Sequence, residues 1–206
     1  MFKKFIGMVL MVLGLAAPSQ AQEQKVDFQV GAEQDIGLPG KSFSNQLVQN
    51  VSYDVNAKTS LGVDFRQQIR YMKNARPGFG VNLQPYAIRS VGRKSFVGFG
   101  GEVDFAGKRS WFLGAYPIVG TGINKKWSYL TIAEGGASVA NGKYTGTLLI
   151  TGHRFTRKLG NNASGYLQGA AIGFLPKGGK AGCAYSFKIG VMYRLPPVKV
   201  KKGPVL

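Results

Sequence analysis

A long stretch of strict alternation, at residues 61–71, constrains the fold of this chain most strongly. Its odd-numbered positions are apolar except Gln67, and its even-numbered positions are polar or glycine. A period of two over that length predicts a β-strand with one apolar and one polar face. The strand exceeds the roughly five or six residues usual in soluble sheets and suits the roughly 9–11 residues, tilted, that a bilayer requires. Because the polar face carries both signs of charge, we expect it to line a closed interior.

Alternating segments of this kind recur along the chain, each bounded by a turn. They cover residues 25–33, 45–55, 58–71, 79–91, 95–105, 110–123, 127–140, 143–155, 163–175 and 181–195. The pattern predicts an all-β, up-and-down antiparallel transmembrane β-barrel of about ten strands, with eight as the alternative if two short segments are not separate strands. Asn141-Gly142 gives the strongest turn signal, because both residues accept positive φ. The longest loops are predicted at 34–44, 72–78 and 156–162.

The first 21 residues have the organisation of a signal peptide. Lys3 and Lys4 precede an apolar run over 5–17, and Ser19 and Ala21 form a small-x-small cleavage pattern. The run is shorter than the roughly 20 residues of a spanning helix. We therefore expect cleavage near Ala21, export to a bacterial outer membrane, and a barrel domain over 22–195.

The formal net charge of +18 indicates an anionic partner. All nine acids lie between Glu23 and Glu134, and the bases concentrate in the predicted turns. No nucleic-acid-binding motif is present, and the export signal argues against such a partner. Outer-membrane lipid and lipopolysaccharide phosphates are the expected partners instead.

Aromatic residues stand beside several of the basic turns. Tyr71, Trp111, Trp127 and Tyr144 each lie within a few residues of lysine or arginine. Tyrosine and tryptophan favour the membrane–water interface, where an apolar ring meets a polar edge. These four residues are predicted to form an aromatic girdle.

Charged residues on the polar strand faces predict a network inside the barrel. Its expected members are Asp64, Arg66, Arg70, Glu102, Asp104 and Lys188. Barrels of this size are filled by side chains, and buried charges must be paired, so the favoured interpretation is a salt-bridged plug. The alternative is a narrow anion-selective pore, suggested by the excess of bases when Arg194 is added, since rings of basic side chains select anions.

A complete catalytic set is not evident, and no motif indicates a cofactor or a metal site. The region of the single histidine, His153, loosely resembles barrel-type lipid A deacylases, but Phe155 stands where those enzymes have a serine. Ser164 and Glu134 are conceivable partners, yet their spacing does not bring them together. A structural or adhesion-type envelope protein is the favoured function; a lipid A-modifying barrel enzyme and a soluble ligand-binding β-barrel remain alternatives.

The segment 188–195 resembles the closing-strand signature of small bacterial outer-membrane β-barrel proteins. Lys188 takes the polar position, Gly190 the glycine, and Tyr193 and Leu195 the two apolar positions. The resemblance implies recognition by the barrel-assembly machinery. Leu195 replaces a more common aromatic residue, and a basic, proline-containing tail, 196–206, follows the signature. Because proline lacks a ladder donor, we expect no further hairpin strand in the tail.

Overall fold

The computed structural model describes residues 24–38, 42–71, 76–106 and 110–200, so the predicted signal peptide lies outside the described residues. The strands are β1 Gln24–Leu38, β2 Ser42–Asn56, β3 Thr59–Tyr71, β4 Gly78–Val91, β5 Ser95–Ala106, β6 Ser110–Gly122, β7 Trp127–Ala140, β8 Lys143–Lys158, β9 Ala163–Pro176, β10 Gly182–Arg194 and β11 Val198–Val200. Each of the first ten strands pairs antiparallel with the next, and β10 pairs with β1, which closes the sheet. The predicted ten-stranded up-and-down barrel is confirmed, and the eight-stranded alternative is wrong.

The wall of the barrel has an apolar outer face and a polar inner face. In β6, Phe112, Tyr116 and Ile118 are buried inside, whereas Leu113 is 52% exposed and Val119 is 55% exposed on the outside. Across the described strands many buried side chains are polar or charged, and many large apolar side chains are exposed. This arrangement reverses that of a soluble protein and suits a lipid environment. No helix among the described residues is long and apolar enough to cross a membrane.

The first predicted loop, 34–44, is wrong in extent. The structure continues β1 to Leu38 and begins β2 at Ser42, so both strands run through most of that segment. Gln34 pairs with Asn45 in register, and the Asp35 side chain accepts a hydrogen bond from Ser186 on β10 at 2.6 Å. Contacts with neighbouring strands thus override the polar, loop-like composition. The predicted loop at 156–162 is likewise shorter, because β8 continues to Lys158.

The tail contains a short strand, β11, but it pairs with β1 and not with β10, so it is not a further hairpin strand. Val198–Val200 pairs antiparallel with the first residues of β1, opposite Gln24 to Val26. The prolines that were expected to prevent a strand, Pro196 and Pro197, lie before these three residues and so remove no donor from them. Residues 201–206 lie outside the described part.

Among the connections that the structure describes in full, tight turns join strands at both rims of the barrel. We call the rim where β1 begins and β10 ends the terminal rim, and the other the loop rim. At the loop rim, Asn141 has φ 52° and Gly142 has φ 74°, as the predicted two-residue hairpin requires. The residues 72–75 and 107–109 of two other loops lie outside the described ranges.

Large side chains inside the barrel lie over glycines of neighbouring strands. Tyr166 on β9 covers Gly190 on β10, where an added Cβ would meet the tyrosine Cζ at 2.4 Å. Tyr86 covers Gly62 in the same way, again at 2.4 Å. The missing side chain leaves room for a ring to lie flat against the wall, so these glycines set the packing of the interior.

Replacing one of these glycines is expected to destabilise the barrel. Gly190→Ala places a methyl group against the Tyr166 ring, and such overpacking costs about 1–3 kcal/mol of unfolding free energy. Gly182→Ala is the matched control in the same strand, because nothing lies within 4 Å of the Cβ that this substitution would add. Urea unfolding of both variants in lipid vesicles checks this. Equal midpoints for the two variants would contradict the packing argument.

Candidate functional site in the barrel lumen

An ion-paired cluster centred on Arg66 occupies the lumen. Arg66 on β3 donates from Nη1 to Glu33 Oε1 on β1 at 2.7 Å, and its Nη2 lies 3.3 Å from Asp64 Oδ2. The Tyr166 hydroxyl on β9 donates to the other oxygen of Glu33. We call these four residues the Arg66 cluster; it joins side chains from one half of the barrel circumference, β9 to β3.

The ion pair of Arg66 and Glu33 is almost completely shielded from solvent, whereas the Asp64 side chain is 20% exposed. The side chain of Glu33 is 0% exposed and that of Arg66 is 6% exposed, although both point into the lumen. Burying charges is tolerated only with partners, and the contacts within the cluster supply them. Side chains from one half of the wall, β9 to β3, therefore occupy the lumen at this level.

Lys188 extends the cluster across the seam between β10 and β1. Its Nζ lies 3.9 Å from Glu33 and 3.7 Å from Asp35. Asp35 also accepts the hydrogen bond from Ser186. The seam that closes the barrel is consequently bridged by opposite charges as well as by backbone hydrogen bonds.

Two smaller polar clusters complete the predicted network. Arg70 on β3 contacts Asp104 on β5 at 2.5 Å, and Gln68 donates to the same carboxylate at 3.1 Å. Glu102 instead accepts hydrogen bonds from the side-chain amides of Asn82 at 2.5 Å and Gln84 at 2.8 Å. All six residues predicted for the lumen point inward, but the structure divides them among three clusters.

Several inward charges were not predicted from the sequence. The structure adds Asp27, Glu33, Asp35, Glu134 and Arg154 to the lumen, and Arg154 lies 4.3 Å from the Tyr166 ring centroid. Asp35 lies beyond the predicted end of the first strand, and the other four lie within predicted strands, where the alternation of polar and apolar residues was the available signal. Away from the rims, the inward acids are Asp27, Glu33, Asp35, Asp64, Glu102, Asp104 and Glu134, and the inward bases are Arg66, Arg70, Arg154, Lys188 and Arg194. The expected excess of bases is therefore wrong for the described lumen, where acids predominate.

A cavity of about 280 Å³ adjoins the Arg66 cluster on the side of the terminal rim. Its charged lining consists of the acids Asp64, Glu102 and Glu134 and the bases Arg66 and Arg154, and three tyrosines contribute rings: Tyr86, Tyr116 and Tyr166. Glu134 is 6% exposed, and its Oε1 has no hydrogen-bond partner among the described residues. The lumen thus combines a filled layer with a small, acidic space beside it.

The residues considered for catalysis do not form one site. His153 points outward, where its Nδ1 lies 2.7 Å from the Tyr129 hydroxyl and 3.2 Å from Thr131 Oγ1. Ser164 and Glu134 instead line the cavity inside the barrel. The wall separates the histidine from both conceivable partners.

The predicted girdle and closing-strand residues lie at defined positions of the wall. Tyr71, Trp111 and Tyr144 are exposed at the loop rim, and Trp127 is exposed at the terminal rim. In the closing strand, Lys188 and Gly190 face inward and Tyr193 faces outward; Leu195 follows β10 and donates its backbone N–H to Phe28 at 2.8 Å. Their roles at the interface and in assembly stay predictions.

Comparison with known proteins gave matches among solved structures. No family model matches this chain, and no curated protein does. The KdgM porin in complex with disordered oligogalacturonate is 11% identical with a TM-score of 0.47, over 80% of this chain and 98% of the porin. The translocator domain of the autotransporter NalP from Neisseria meningitidis is 10% identical with a TM-score of 0.43, over 94% of this chain and 96% of the domain. A de novo designed transmembrane β-barrel is 9% identical with a TM-score of 0.37, over 85% of this chain and 100% of the design.

The geometry of the chain itself gives the classification. Ten antiparallel strands close on themselves, their outer face is apolar, and their inner face carries paired charges. Closed barrels with this division of faces are the β-structures that can span a membrane. The chain is a small β-barrel of the outer-membrane type.

Proposed function

We propose that this chain is a non-enzymatic structural protein of the outer membrane whose lumen is closed to steady ion flow. The observation that carries the proposal is the 0% exposure of the Glu33 side chain inside the lumen. Ions could pass this level only if the Arg66 cluster separated, which would leave buried charges unpaired. Among the loop-rim connections that the structure describes in full, the two-residue turn Asn141-Gly142 offers little surface to a partner, which favours a structural role over adhesion.

Planar-bilayer recording tests the proposal. We expect the parent chain to show no steady conductance, and a Glu33→Ala and Arg66→Ala double variant to conduct, because it removes the buried ion pair at the centre of the Arg66 cluster. Phe65→Ala is the control, since Phe65 neighbours Arg66 in sequence but points outward. Steady conductance of the parent chain would contradict the proposal.

A narrow pore is the second candidate function, and the acidic cavity is the observation that favours it. The predominance of acids among the inward charges supports cation preference, in place of the anion preference first considered. Reversal potentials in a potassium chloride gradient distinguish these outcomes. A cation-selective parent channel would support this candidate over the closed barrel, and an anion-selective channel would contradict both.

We also propose anionic headgroups as the partners of the barrel rims. Lys58, Arg93 and Lys126 lie in turns at the terminal rim, and Lys177 and Lys180 lie beyond β9 at the loop rim. Basic side chains near a membrane surface attract anionic lipids. Binding to lipopolysaccharide or anionic vesicles should therefore weaken as salt rises, whereas binding insensitive to salt would contradict this proposal.

A further inference from the structure

Amide side chains interrupt the apolar outer surface on one side of the barrel. Gln34 on β1, Asn45 and Gln49 on β2, and Gln67 on β3 all point outward. The other outward amide that the structure describes in the ten barrel strands is Asn56 at the terminal rim, whose Oδ1 accepts hydrogen bonds from the backbone N–H groups of Lys58 and Thr59. We call these four residues the amide patch; its confinement to three adjacent strands marks one side of an otherwise apolar wall.

The amide patch lies within the apolar belt. Gln34 stands directly opposite Asn45, and Gln67 stands opposite Leu47 on the same face. Along β1, Ile36 continues the outward row toward the loop rim, and Val30 continues it toward the terminal rim; both are exposed. The patch therefore begins one outward position from Tyr71 of the loop rim and extends toward the middle of the wall, where lipid tails would surround it.

Within the part of the chain that the structure describes, the amides of the patch have no hydrogen-bond partners. Elsewhere on the outer face, two pairs of polar groups bond each other: Tyr129 bonds His153 at 2.7 Å, and Tyr144 bonds Thr147 at 2.7 Å. Among the described residues, no hydrogen bond links an amide-patch side chain to another group. An amide left unpaired in an apolar medium is costly, so the patch requires a partner that offers donors and acceptors.

We propose that the amide patch is the contact surface for a second copy of this chain in the membrane. Each carboxamide carries two donors and an acceptor, so a copy related by a two-fold axis presents the groups that the first copy lacks. Polar side chains that bond across transmembrane segments hold them together. The outward positions around the patch are uncharged, so two copies of a strongly basic chain can meet there without repulsion.

The shape of the surface also suits a close approach. A groove runs over the patch, lined by outward residues that include Ala32, Leu47 and Ile69. Phe79 projects at its edge and is 59% exposed. Ala32 is small and lies among larger side chains. Side chains of a second copy can therefore pack into the groove and bring the amides of the two copies within hydrogen-bonding distance.

Energy transfer between labelled copies tests the proposal. The single cysteine, Cys183, is exposed and provides the labelling site. Donor- and acceptor-labelled chains are reconstituted together in phosphatidylcholine vesicles over a range of lipid-to-protein ratios. We expect transfer above the random level to persist on dilution for the parent chain, and the apparent dissociation constant of the dimer to rise tenfold or more for a Gln34→Leu, Asn45→Leu and Gln67→Leu variant.

Two further variants keep the test decisive. Thr151→Leu is the matched control, because Thr151 is an exposed outward polar residue on β8, away from the patch; its association should equal that of the parent. Asn45→Leu alone should weaken association if the triple variant folds poorly. Random-level transfer for the parent, or parent-like association of the folded Leu variants, would overturn the proposal and leave lipid or another protein to cover the patch.

Discussion

Phe187→Arg is expected to lower the unfolding free energy of the barrel by about 2–4 kcal/mol, because it places a charge on the lipid-facing wall. Phe187 points outward from the middle of β10 and is 55% exposed. Arginine at this depth must either stay in the apolar layer or distort the surrounding lipid. Refolding yield in vesicles, read from heat-modifiable migration on a gel, and urea titration measure the effect. Val63→Arg, also on the outer face, should behave in the same way.

Ser164→Arg is the control for the inner face. Ser164 lies on β9 and lines the 280 Å³ cavity, where acidic side chains can accept a guanidinium. We expect this variant to fold in yields close to those of the parent. If Ser164→Arg failed while Phe187→Arg folded normally, the apolar face would not contact lipid, and the soluble ligand-binding barrel would become the better interpretation.

Arg66→Met is expected to destabilise the barrel by about 3 kcal/mol. Removing one partner of a buried ion pair typically costs roughly 3–5 kcal/mol, and the low end applies because Lys188 remains 3.9 Å from Glu33. Glu33→Gln combined with Arg66→Met should recover most of the loss, since neither charge is then left alone. Urea unfolding of the two single variants and the double variant gives the coupling energy.

Lys177→Met provides the surface control for the comparison of the two single variants with the double variant. Lys177 is exposed in the turn after β9, and changes at such positions stay within about 0.5 kcal/mol. Additive effects of the Glu33 and Arg66 substitutions would contradict the view that their contact stabilises the lumen.

The wall of the barrel was predictable from sequence because its signal is local. Alternation over 61–71 and the Asn141-Gly142 turn each depend on neighbouring residues, and both appear as expected. The first hairpin was harder, because Gln34 and Asp35 resemble loop residues. Only pairing with β2 and β10 makes them part of a strand.

The interior was less predictable, because its contacts join residues distant in sequence. Alternation could assign Arg66 to the inner face, but it could not show that Glu33, more than thirty residues earlier, would be its closest partner. The contribution of Tyr166 depended on a strand pairing that the sequence does not encode locally. In the sequence, the only sign of the amide patch was Gln67, which breaks the apolar face of 61–71. The registers of β1 and β2 are needed to place the other members of the patch beside it.

The pairing of β10 with β1 has a consequence for the rates of folding and unfolding. Nine of the ten seams of the barrel join strands consecutive in sequence, whereas this one joins opposite ends of the domain, for example Glu33 with Gly190. Closing so long a loop carries the largest entropic cost, so we expect this seam to form last. Contacts absent from the folding transition state mainly slow unfolding. The bonds of Asp35 with Lys188 and Ser186 should therefore prolong the lifetime of the closed barrel and leave its folding rate nearly unchanged.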